Sequence, residues 1–565
     1  MASSGNFAVW NPLANTTAGI SYSGSVYSKG NTRFRGNTGG TATTQLTHGL
    51  SSGKWYIEIY INGNPAGGFP MIGIVANGYN ASVLQNTSNA AALSITSDLQ
   101  TVNGTKRVFG STSSTSYGSG FSDGDICQMA IDIDNGKIWW GKNNTFFASG
   151  NPAAGSNAGD TFTAGTEMMV FVGSYDGAAY SICNAGQDDT FAGNVTAAGN
   201  ADGNGFGVFK YSPPTGFVSV ASSNLPVPDD IDPAQTDDDY NSKQFNVVLY
   251  SGTGSAQSIN AGLAADFVWA KNRGSQSHRL ADSTRGSAVL FSDTTDAQDT
   301  TAGISFDSDG FNWTNTDGSN ANDSGANYVA WCWRANGGVT STNTDGSIDS
   351  TVQANTKAGF SIVQTPNYSG TPTFGHGLSK PLDFIIVKLI TSAAQWIVYH
   401  SGLSSAGKIL YLNTTAAEAT NAAFNSTAPT NQVFSLGGGF GGSGTAIAYC
   451  WHSVEGYSKF GSYEGSGNND GTFIYTGFRP RFVFIKNIDA AQHWVTHDSA
   501  RETYNVMDTP IDWDGSYAEY TSSARAIDFL SNGFKCRTSD GEINSAQTFI
   551  YGAWGDVPFK YNNTF

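Results

Sequence analysis

The chain has 565 residues, and its 28 Lys and Arg residues against 45 Asp and Glu residues give a net charge of −17. That length exceeds what one hydrophobic core supports, so we expect several domains. The negative charge argues against nucleic acid and against an anionic membrane surface as partners. No apolar run approaches the roughly 18 residues that cross a bilayer, and no amino-terminal segment resembles a signal peptide, so we expect neither membrane insertion nor secretion by the usual route.

Glycine supplies 69 residues, while aromatic and charged residues each make up 13% of the chain. This composition is typical of short strands joined by tight turns. The cysteines are odd in number and widely spaced, and we predict buried free thiols, no zinc site and folding in a reducing compartment. They are Cys127, Cys183, Cys332, Cys450 and Cys536.

Residues 1–228 are predicted to form the first domain, and no segment in it sustains a helical period. Residues 53–60 alternate over much of their length between apolar and polar, as expected for a strand with one buried face. Two apolar runs flank Asn135-Gly136 within residues 124–147. Both residues of this pair tolerate the positive φ of a type I′ turn, so the stretch predicts a two-residue β-hairpin.

Six motifs of this first domain follow one another in a recognisable order. They are Gly53 to Glu58, Ile72-Gly73-Ile74, Gly124-Asp125-Ile126, Asp132 to Asn143, Asn184 to Gln187, and Pro213 to Phe217 followed by Asn224-Leu225-Pro226. In this order they resemble a SPRY domain, and more narrowly the SPRY-type domains of marine bacteriophage structural proteins. The resemblance implies a bent sandwich of two antiparallel sheets whose loops contact partners, with no catalytic residues to carry over.

An acidic stretch at residues 229–240 follows the first domain. It holds six aspartates and no basic residue. Because like charges this close repel and extend the chain, we predict a linker here.

An internal repeat occupies the rest of the chain. Residues 266–271, 383–388 and 481–486 read as the same buried strand, and an apolar run closes each copy. We therefore predict three related smaller β-sandwich-like units, at residues 241–345, 356–460 and 461–565, which we call repeats 1, 2 and 3. Tandem units of this kind resemble repeats of phage particle appendages, and the whole chain is predicted to be all-β.

A second phrase recurs downstream of that strand in repeats 1 and 3. It pairs Asp282 with Arg285 and Asp498 with Arg501, and we predict a local turn with an ion pair at both places. In repeat 2 the corresponding residues are His400 and Leu403, so that both charges are lost.

A metal site is the first chemistry to weigh. Residues 132–136 place two aspartates at alternate positions before a glycine, as a calcium loop does, but an EF-hand loop needs a third ligand before that glycine and a glutamate at its twelfth position. Since Asn143 stands at the twelfth position, we interpret the stretch as a hairpin and predict no metal and no cofactor. Whether any aspartate-rich loop binds calcium stays open.

Two enzyme hypotheses are weaker than a non-enzymatic one. The chain has eight glutamates, and no two of them lie in settings that suggest the unlike pKa values of a glycosidase acid and base. His493, His497, Asp498 and Ser499 look like the members of a catalytic triad, but the position of His497 holds Tyr399 and Ala281 in the other repeats. We interpret them as strand packing and predict no catalytic residue.

Aromatic residues could line a sugar-binding surface, although most of the tryptophans lie in core-like strands. Trp313 and Trp513 differ because they lie in loops rich in Gly, Asn and Asp. These two are our predicted binding residues, on the expectation that both are exposed.

These observations predict a non-enzymatic structural protein of a bacteriophage virion, assembled in the host bacterial cytoplasm. A capsid-attached decoration or knob-like protein is the first alternative, and a tail fibre or receptor-binding protein that recognises host glycans is the second. A polysaccharide depolymerase is a third, less favoured one. We expect other virion proteins and host surface glycans as partners, and a homo-oligomer.

Overall fold

The structure is a computed structural model that describes residues 6–14, 26–36, 41–63, 71–78, 96–100, 104–107, 115–175, 179–227, 230–232, 236–314, 321–438 and 444–561. Strands and turns make up nearly all of these residues, which confirms the all-β class. The helices that lie wholly within these residues are single 3-10 turns at Pro12–Ala14, Phe147–Ser149, Ser222–Asn224, Asp237–Asp239, Asn241–Lys243, Ser523–Arg525 and Phe559–Tyr561. In the ranges given, no helix has the length and apolar character needed to cross a membrane.

The chain divides into two compact units. The first comprises residues 1–227 together with residues 472–477, and the second comprises residues 228–471 and 478–565. The short strand Phe473–Tyr475 therefore clusters with the first unit, although its sequence lies in repeat 3.

The first unit contains two sheets, antiparallel except for one short parallel pair. The first sheet runs, in spatial order, Val26–Ser28, Arg33–Arg35, Ala179–Asn184, Lys54–Gly63, Ile126–Asp132, Lys137–Lys142 and Thr145–Phe146, with Asp160–Thr161 beside Lys137–Lys142 and Val218–Ser219 parallel to Lys54–Gly63. The second sheet runs Thr41–Leu50, Met168–Tyr175, Met71–Ala76, Thr96–Gln100, Thr105–Arg107 and Thr115–Ser116.

The hairpin predicted at Asn135-Gly136 is present, but its turn differs from the prediction. Asp132 pairs with Lys137, so the loop holds four residues instead of two. Gly136 has φ +60°, whereas Asn135 does not have the positive φ that a type I′ turn requires. The Asp132 carboxylate accepts a hydrogen bond from the Asn135 backbone N–H at 3.0 Å, which favours the longer loop.

Strand Lys54–Gly63 is buried on both faces, because residues 184–221 cover the face that bears Glu58. The Glu58 carboxylate accepts hydrogen bonds from the backbone N–H groups of Lys210, at 2.9 Å, and Tyr211, at 2.7 Å. Burial raises the pKa of Glu58 to about 7. Glu58 is thus a framework residue that anchors the covering segment.

In the second unit each repeat has a main sheet and a smaller sheet. The main sheet of repeat 1 runs Phe245–Ser251, Asn327–Trp333, Phe267–Asn272, Arg279–Asp282 and Val289–Leu290; the smaller one runs Gln257–Asn260, Gly310–Trp313 and Ile304–Phe306. In repeat 2 they are Ser341–Asn343, Ser350–Asn355, Phe360–Gln364, Ala446–Trp451, Phe384–Leu389, Ile397–His400, Lys408–Tyr411 and Ala419–Thr420, and Thr373–Gly375 with Val433–Ser435. Repeat 3 has Ser458–Glu464, Thr548–Pro558, Phe478–Asn487, Trp494–Asp498 and Ile511–Asp512, and the hairpin of Ile527–Leu530 and Gly533–Cys536.

The strands shift two of the predicted boundaries. Ser458–Glu464 crosses the predicted junction at residue 461, and Ser350–Asn355, which precedes predicted repeat 2, pairs within the repeat 2 sheet. The acidic stretch is also more ordered than a linker should be. Ile231 is buried in the core of the second unit, and the buried Asp239 pairs with Lys357 Nζ at 3.0 Å.

One aromatic core joins the three repeats. Trp333, Trp451 and Trp554 occupy the same register position of the closing strand in each repeat. Their ring centroids lie 6.0, 5.4 and 6.1 Å apart, in edge-to-face pairs that aromatic rings favour. The repeats are therefore packed around a common centre, in addition to which repeats 1 and 2 each have a core of their own.

Candidate functional site

Polar side chains link the repeats around this core. In repeat 1 the Arg285 guanidinium contacts Asp282 at 2.6 Å, with both side chains buried. The Tyr449 hydroxyl of repeat 2 donates to Asp282 at 2.8 Å and accepts from Arg285 at 3.0 Å. The predicted ion pair is confirmed. The sequence did not reveal that Tyr449 of the next repeat binds both of its members.

The same link recurs between repeats 3 and 1. Arg501 contacts Asp498 at 2.6 Å, and the Trp331 indole N–H of repeat 1 donates to Asp498 at 3.3 Å. Trp331 and Tyr449 are register equivalents, since each lies two residues before the tryptophan of the common core. The aspartate of repeat 1 therefore contacts repeat 2, and the aspartate of repeat 3 contacts repeat 1.

Between repeats 2 and 3 the link has a different chemistry. His400 stands where the other repeats have aspartate, and Gly552 stands where they have Trp331 or Tyr449. The His400 Nε2–H donates to the backbone carbonyl of Tyr551 at 3.1 Å, and Nδ1 accepts from the Gly402 N–H at 2.9 Å. Both ring nitrogens are used in the neutral form, and burial lowers the pKa of His400 to about 4.

A second cycle of contacts uses ring N–H groups as donors. In this cycle each repeat donates to the repeat before it, and repeat 1 donates to repeat 3. The Trp396 indole of repeat 2 donates to the Phe291 carbonyl of repeat 1 at 2.8 Å, and Trp494 of repeat 3 donates to the Tyr411 carbonyl of repeat 2 at 3.1 Å. His278 takes the equivalent position in repeat 1, where its Nε2–H donates to a repeat 3 carbonyl at 3.0 Å. All three repeats thus close one ring.

Buried lysines add to this closure. Lys388 and Lys486 occupy equivalent strand positions, and their ammonium groups donate to the carbonyls of Thr295 and Thr415 in the preceding repeat, each at 3.1 Å. Burial lowers the pKa of each of these lysines to about 8. Their hydrogen-bonding partners are backbone carbonyls, so they serve packing between repeats.

The residues that resemble a triad do not form one. Asp498 is engaged by Arg501 and Trp331, and the buried His497 has its nearest carboxylate, Glu502, at 3.9 Å. Burial lowers the pKa of His497. His493 instead contacts Asp514 through Nδ1.

The expectation that Trp313 and Trp513 are exposed is wrong. Both residues are buried, with only 1% of their surface exposed. Trp313 ends a strand of the smaller sheet in repeat 1, and its indole N–H donates to the Tyr250 hydroxyl at 3.0 Å. Trp513 follows a short strand and stacks on Trp269 of repeat 1, with ring centroids 4.3 Å apart. Trp313 belongs to a strand instead of a loop, and the Asp512 and Asp514 side chains beside Trp513 are themselves buried.

Two of the exposed tyrosines lie in the loop after Trp513. Tyr517 is 56% exposed and Tyr520 is 37% exposed. The Tyr517 ring is perpendicular to the His493 ring at 5.8 Å, and the Arg525 guanidinium lies 5.1 Å from the centre of the Tyr520 ring. We call these residues, together with Asp514, the tyrosine patch.

Carboxylates set the electrostatics of the patch. His493 Nδ1 donates to Asp514 at 2.8 Å, and that hydrogen bond raises the pKa of His493. Arg525 contacts both oxygens of the buried Asp512, at 2.7 and 2.9 Å, and also pairs with Glu542. Burial raises the pKa of Asp512. The patch therefore presents aromatic faces beside an imidazole, and the Asp512 and Asp514 carboxylates that hold its basic groups are buried.

Comparison with repeat 2 shows which part of the patch is needed to form the turn. Asp514 accepts from the Trp494 N–H at 2.9 Å, and Asn413 accepts from the Trp396 N–H at 3.1 Å at the equivalent place. The turn is thus common to both repeats. Repeat 2, however, has Gln395 where repeat 3 has His493, and its loop has Ala416 where repeat 3 has Tyr517. Aligning the loops as well as the strands could have revealed the patch from the sequence.

A cleft of about 710 Å³ in repeat 1 is the other surface to consider. Asp266 lies at its edge, but its carboxylate already accepts hydrogen bonds from Ser283 Oγ and from the Ala335 and Gly338 N–H groups, each at 2.7 Å. Asp266 therefore holds two turns together. Among the described residues, no three His, Cys, Asp or Glu side chains are grouped so that they could hold a metal ion.

Comparisons with known proteins place the second unit in a family. The model of the family described as a domain of unknown function, DUF7483, matches residues 240–558. No curated protein sequence matches the chain.

Solved structures are similar to about a third of the chain. The SPRY domain of human HERC1 is 15% identical, with a TM-score of 0.24, over 31% of this chain and 96% of that domain. The TRIM65 PSpry domain is 12% identical, with a TM-score of 0.21, over 32% and 92%. The carbohydrate binding module CBM66 from Bacillus subtilis is 11% identical, with a TM-score of 0.20, over 32% and 93%. At these values the likenesses carry no inference about ligands.

Proposed function

Since this chain belongs to the family described as a domain of unknown function, DUF7483, we propose its role from its residues: a non-enzymatic structural protein of a bacteriophage particle, attached to the capsid as a decoration or knob-like protein. The phage particle enters through the resemblance of the first domain and of the repeats. The partners proposed are other virion proteins, and assembly takes place in the host bacterial cytoplasm.

One observation carries the structural role. The conspicuous titratable groups of the second unit are used to hold its repeats together, as Asp282, Asp498 and His400 illustrate. Buried charges that are paired and hydrogen-bonded favour one specific arrangement, because a mispaired arrangement would leave them uncompensated. A closed ring of this kind suits a rigid module mounted in many copies.

Labelling of intact particles tests this role. An antibody against the first unit is applied to purified particles of the phage that encodes the chain and imaged by electron microscopy. Label over the head supports the capsid decoration protein. Particles that carry no label, while the protein is abundant in the infected lysate, would rule out a virion component.

A receptor-binding protein that recognises host glycans is the second candidate, and the tyrosine patch favours it. Exposed aromatic rings beside hydrogen-bonding side chains are what a sugar ring needs, and many weak contacts gain strength when copies act together. Label confined to the tail in the same images would support this candidate over the capsid protein.

A further inference from the structure

We infer that the tyrosine patch of repeat 3 binds an uncharged hexopyranose unit, with Tyr517 as the platform on which the sugar ring stacks. The inference rests on the proposed function only in placing that sugar on a host surface. The binding chemistry itself follows from the patch.

The platform is supported from behind. A Cβ atom at Gly515 would lie 2.3 Å from the Tyr517 ring, so the ring packs directly on the glycine backbone. More than half of the side chain remains in solvent. The face of an aromatic ring is electron-rich and attracts the weakly positive C–H groups that line one side of a pyranose, while the loss of water from both surfaces adds to the attraction.

His493 provides a hydrogen-bonding group at the edge of this platform. Its Nδ1 is fixed by Asp514 at 2.8 Å, and its Nε2 makes no hydrogen bond with any described residue. The partly exposed imidazole can therefore engage a sugar hydroxyl through Nε2 while its ring orientation stays fixed. Such fixed partners reduce the entropy lost on binding.

Charge determines which sugars fit. Arg525 is engaged by Asp512 and Glu542, and Asp540 adds further negative charge nearby. Like charges repel, and they do so more strongly near a protein surface than in bulk water. Uronic acids, sialic acids and phosphorylated sugars should therefore be rejected, and a neutral hexose accepted.

Repeat 2 provides the internal comparison. Its equivalent turn keeps the backbone hydrogen bond through Asn413 but has Ala416 and Gln395 in place of the aromatic platform and the imidazole. Closing the ring of repeats therefore requires neither Tyr517 nor His493. The two side chains are additions to a common turn, as expected for a binding function carried by one repeat.

The test uses the full chain and ligand-observed NMR with uncharged gluco-, galacto- and manno-oligosaccharides, against oligogalacturonate as the acidic counterpart. We expect at least one neutral series to bind with a millimolar dissociation constant, and oligogalacturonate to bind at least tenfold more weakly. Tyr517→Ala should weaken binding at least tenfold, whereas Tyr517→Phe should retain it. Tyr240→Ala is the matched control, since Tyr240 is 47% exposed in the same unit and should leave binding unchanged.

Either of two results would overturn the inference. The first is that no neutral series binds at about 10 mM, which corresponds to a binding free energy weaker than about 3 kcal/mol. The second is that Tyr517→Ala binds as the wild type does. Preference for oligogalacturonate would overturn the charge argument. Failure here is separable from failure of the proposed function, because labelled particles without sugar binding would leave the virion role intact. Sugar binding by a protein that is missing from particles would do the reverse.

Discussion

The junction between repeats 1 and 2 and the junction between repeats 2 and 3 solve the same packing problem with different chemistry. At the first, Asp282 and Arg285 form a buried ion pair that Tyr449 completes from the next repeat. At the second, the neutral His400 donates to a backbone carbonyl beside Gly552. The strand register is the same at both junctions, so the backbone does not require the ion pair.

The size of the residue that faces the junction explains the difference. Tyr449 brings a hydroxyl that needs a hydrogen-bonding partner when it is buried, and the Asp282 carboxylate supplies one. Gly552 brings no side chain, and a Cβ there would lie 2.2 Å from the Phe484 ring and 2.9 Å from the Phe460 ring. Aromatic rings fill that space, which leaves nothing for a carboxylate to bind, and the histidine is satisfied by backbone groups alone.

The largest expected effect is at the charged junction. Asp282→Ala leaves the Arg285 charge buried without its partner and removes a hydrogen bond to Tyr449. Breaking one side of a buried ion pair costs about 3–5 kcal/mol. Hydrogen exchange followed by mass spectrometry should show the opening free energy of strands Arg279–Asp282 and Ala446–Trp451 fall by that amount.

An exposed ion pair is the control for this variant. Arg334 contacts Asp238 at 3.5 Å, and the Asp238 side chain is largely exposed. Arg334→Ala should change the opening free energy by less than about 1 kcal/mol. Equal losses in the two variants would show that burial of the pair is not what stabilises the junction.

The glycine junction should respond to added volume. Gly552→Tyr forces a ring into space held by Phe484, and overpacking of this kind costs about 1–3 kcal/mol. Adding Phe484→Ile, His400→Asp and Leu403→Arg copies the charged junction and should recover at least half of the loss. Opening free energies of strands Phe478–Asn487 and Thr548–Pro558 give the measurement.

If the four changes together destabilise the repeats more than Gly552→Tyr does, the two junctions are not interchangeable, and the ion pair depends on further groups of repeats 1 and 2. His400→Asp alone is the informative single control. It buries a carboxylate opposite Gly552 without a side-chain partner, so it should be worse than the fourfold variant.

The neutral junction should also make stability depend on pH. Burial holds the pKa of His400 at about 4 against an ordinary value of 6.5. Between these two values the unfolded chain binds a proton that the folded chain does not, so stability is complete above pH 6.5 and falls as the pH drops toward 4. One such group gives a slope of about 1.4 kcal/mol per pH unit.

His400→Gln removes that titration, so its stability should fall less steeply with pH than the wild type between pH 6.5 and 4, as followed by hydrogen exchange of strand Ile397–His400. If stability falls equally steeply with pH in the two proteins, His400 does not take up a proton on unfolding in this pH range. The Asp282→Ala variant, which retains His400, should keep the wild-type slope.

The smallest effect is expected at the tyrosine patch. Tyr517 is more than half exposed and lies outside the core that joins the repeats. Tyr517→Ala should change the opening free energy of strand Trp494–Asp498 by less than about 0.5 kcal/mol, because surface substitutions away from special features have little effect on stability. A larger loss would show that the tyrosine supports the junction.

The sequence alone determined the local and repeated features of this protein. Strand periodicity and the threefold recurrence of one phrase predicted the all-β class and the three equivalent β-units, because a buried strand records its environment in its own residues. The ion pairs of Asp282 with Arg285 and of Asp498 with Arg501 were predictable for the same reason, since both partners lie within one turn. The binding role predicted for Trp313 and Trp513 failed because the composition of a loop does not show which parts of the fold pack against it.

Only the tertiary structure decided what joins the repeats. The contacts of Asp282 with Tyr449 and of Asp498 with Trp331 each bridge 167 residues of sequence, and no local pattern marks them. The common core of Trp333, Trp451 and Trp554 likewise depends on the closure of the ring, because in repeats 1 and 2 only one face of the closing strand enters it, while the other face packs in the repeat's own core. The tyrosine patch exists because repeat 3 adds side chains to a turn that the ring holds in place. A pattern along the chain fixes which faces are buried, whereas the partner that buries them is chosen by the packing of the whole unit.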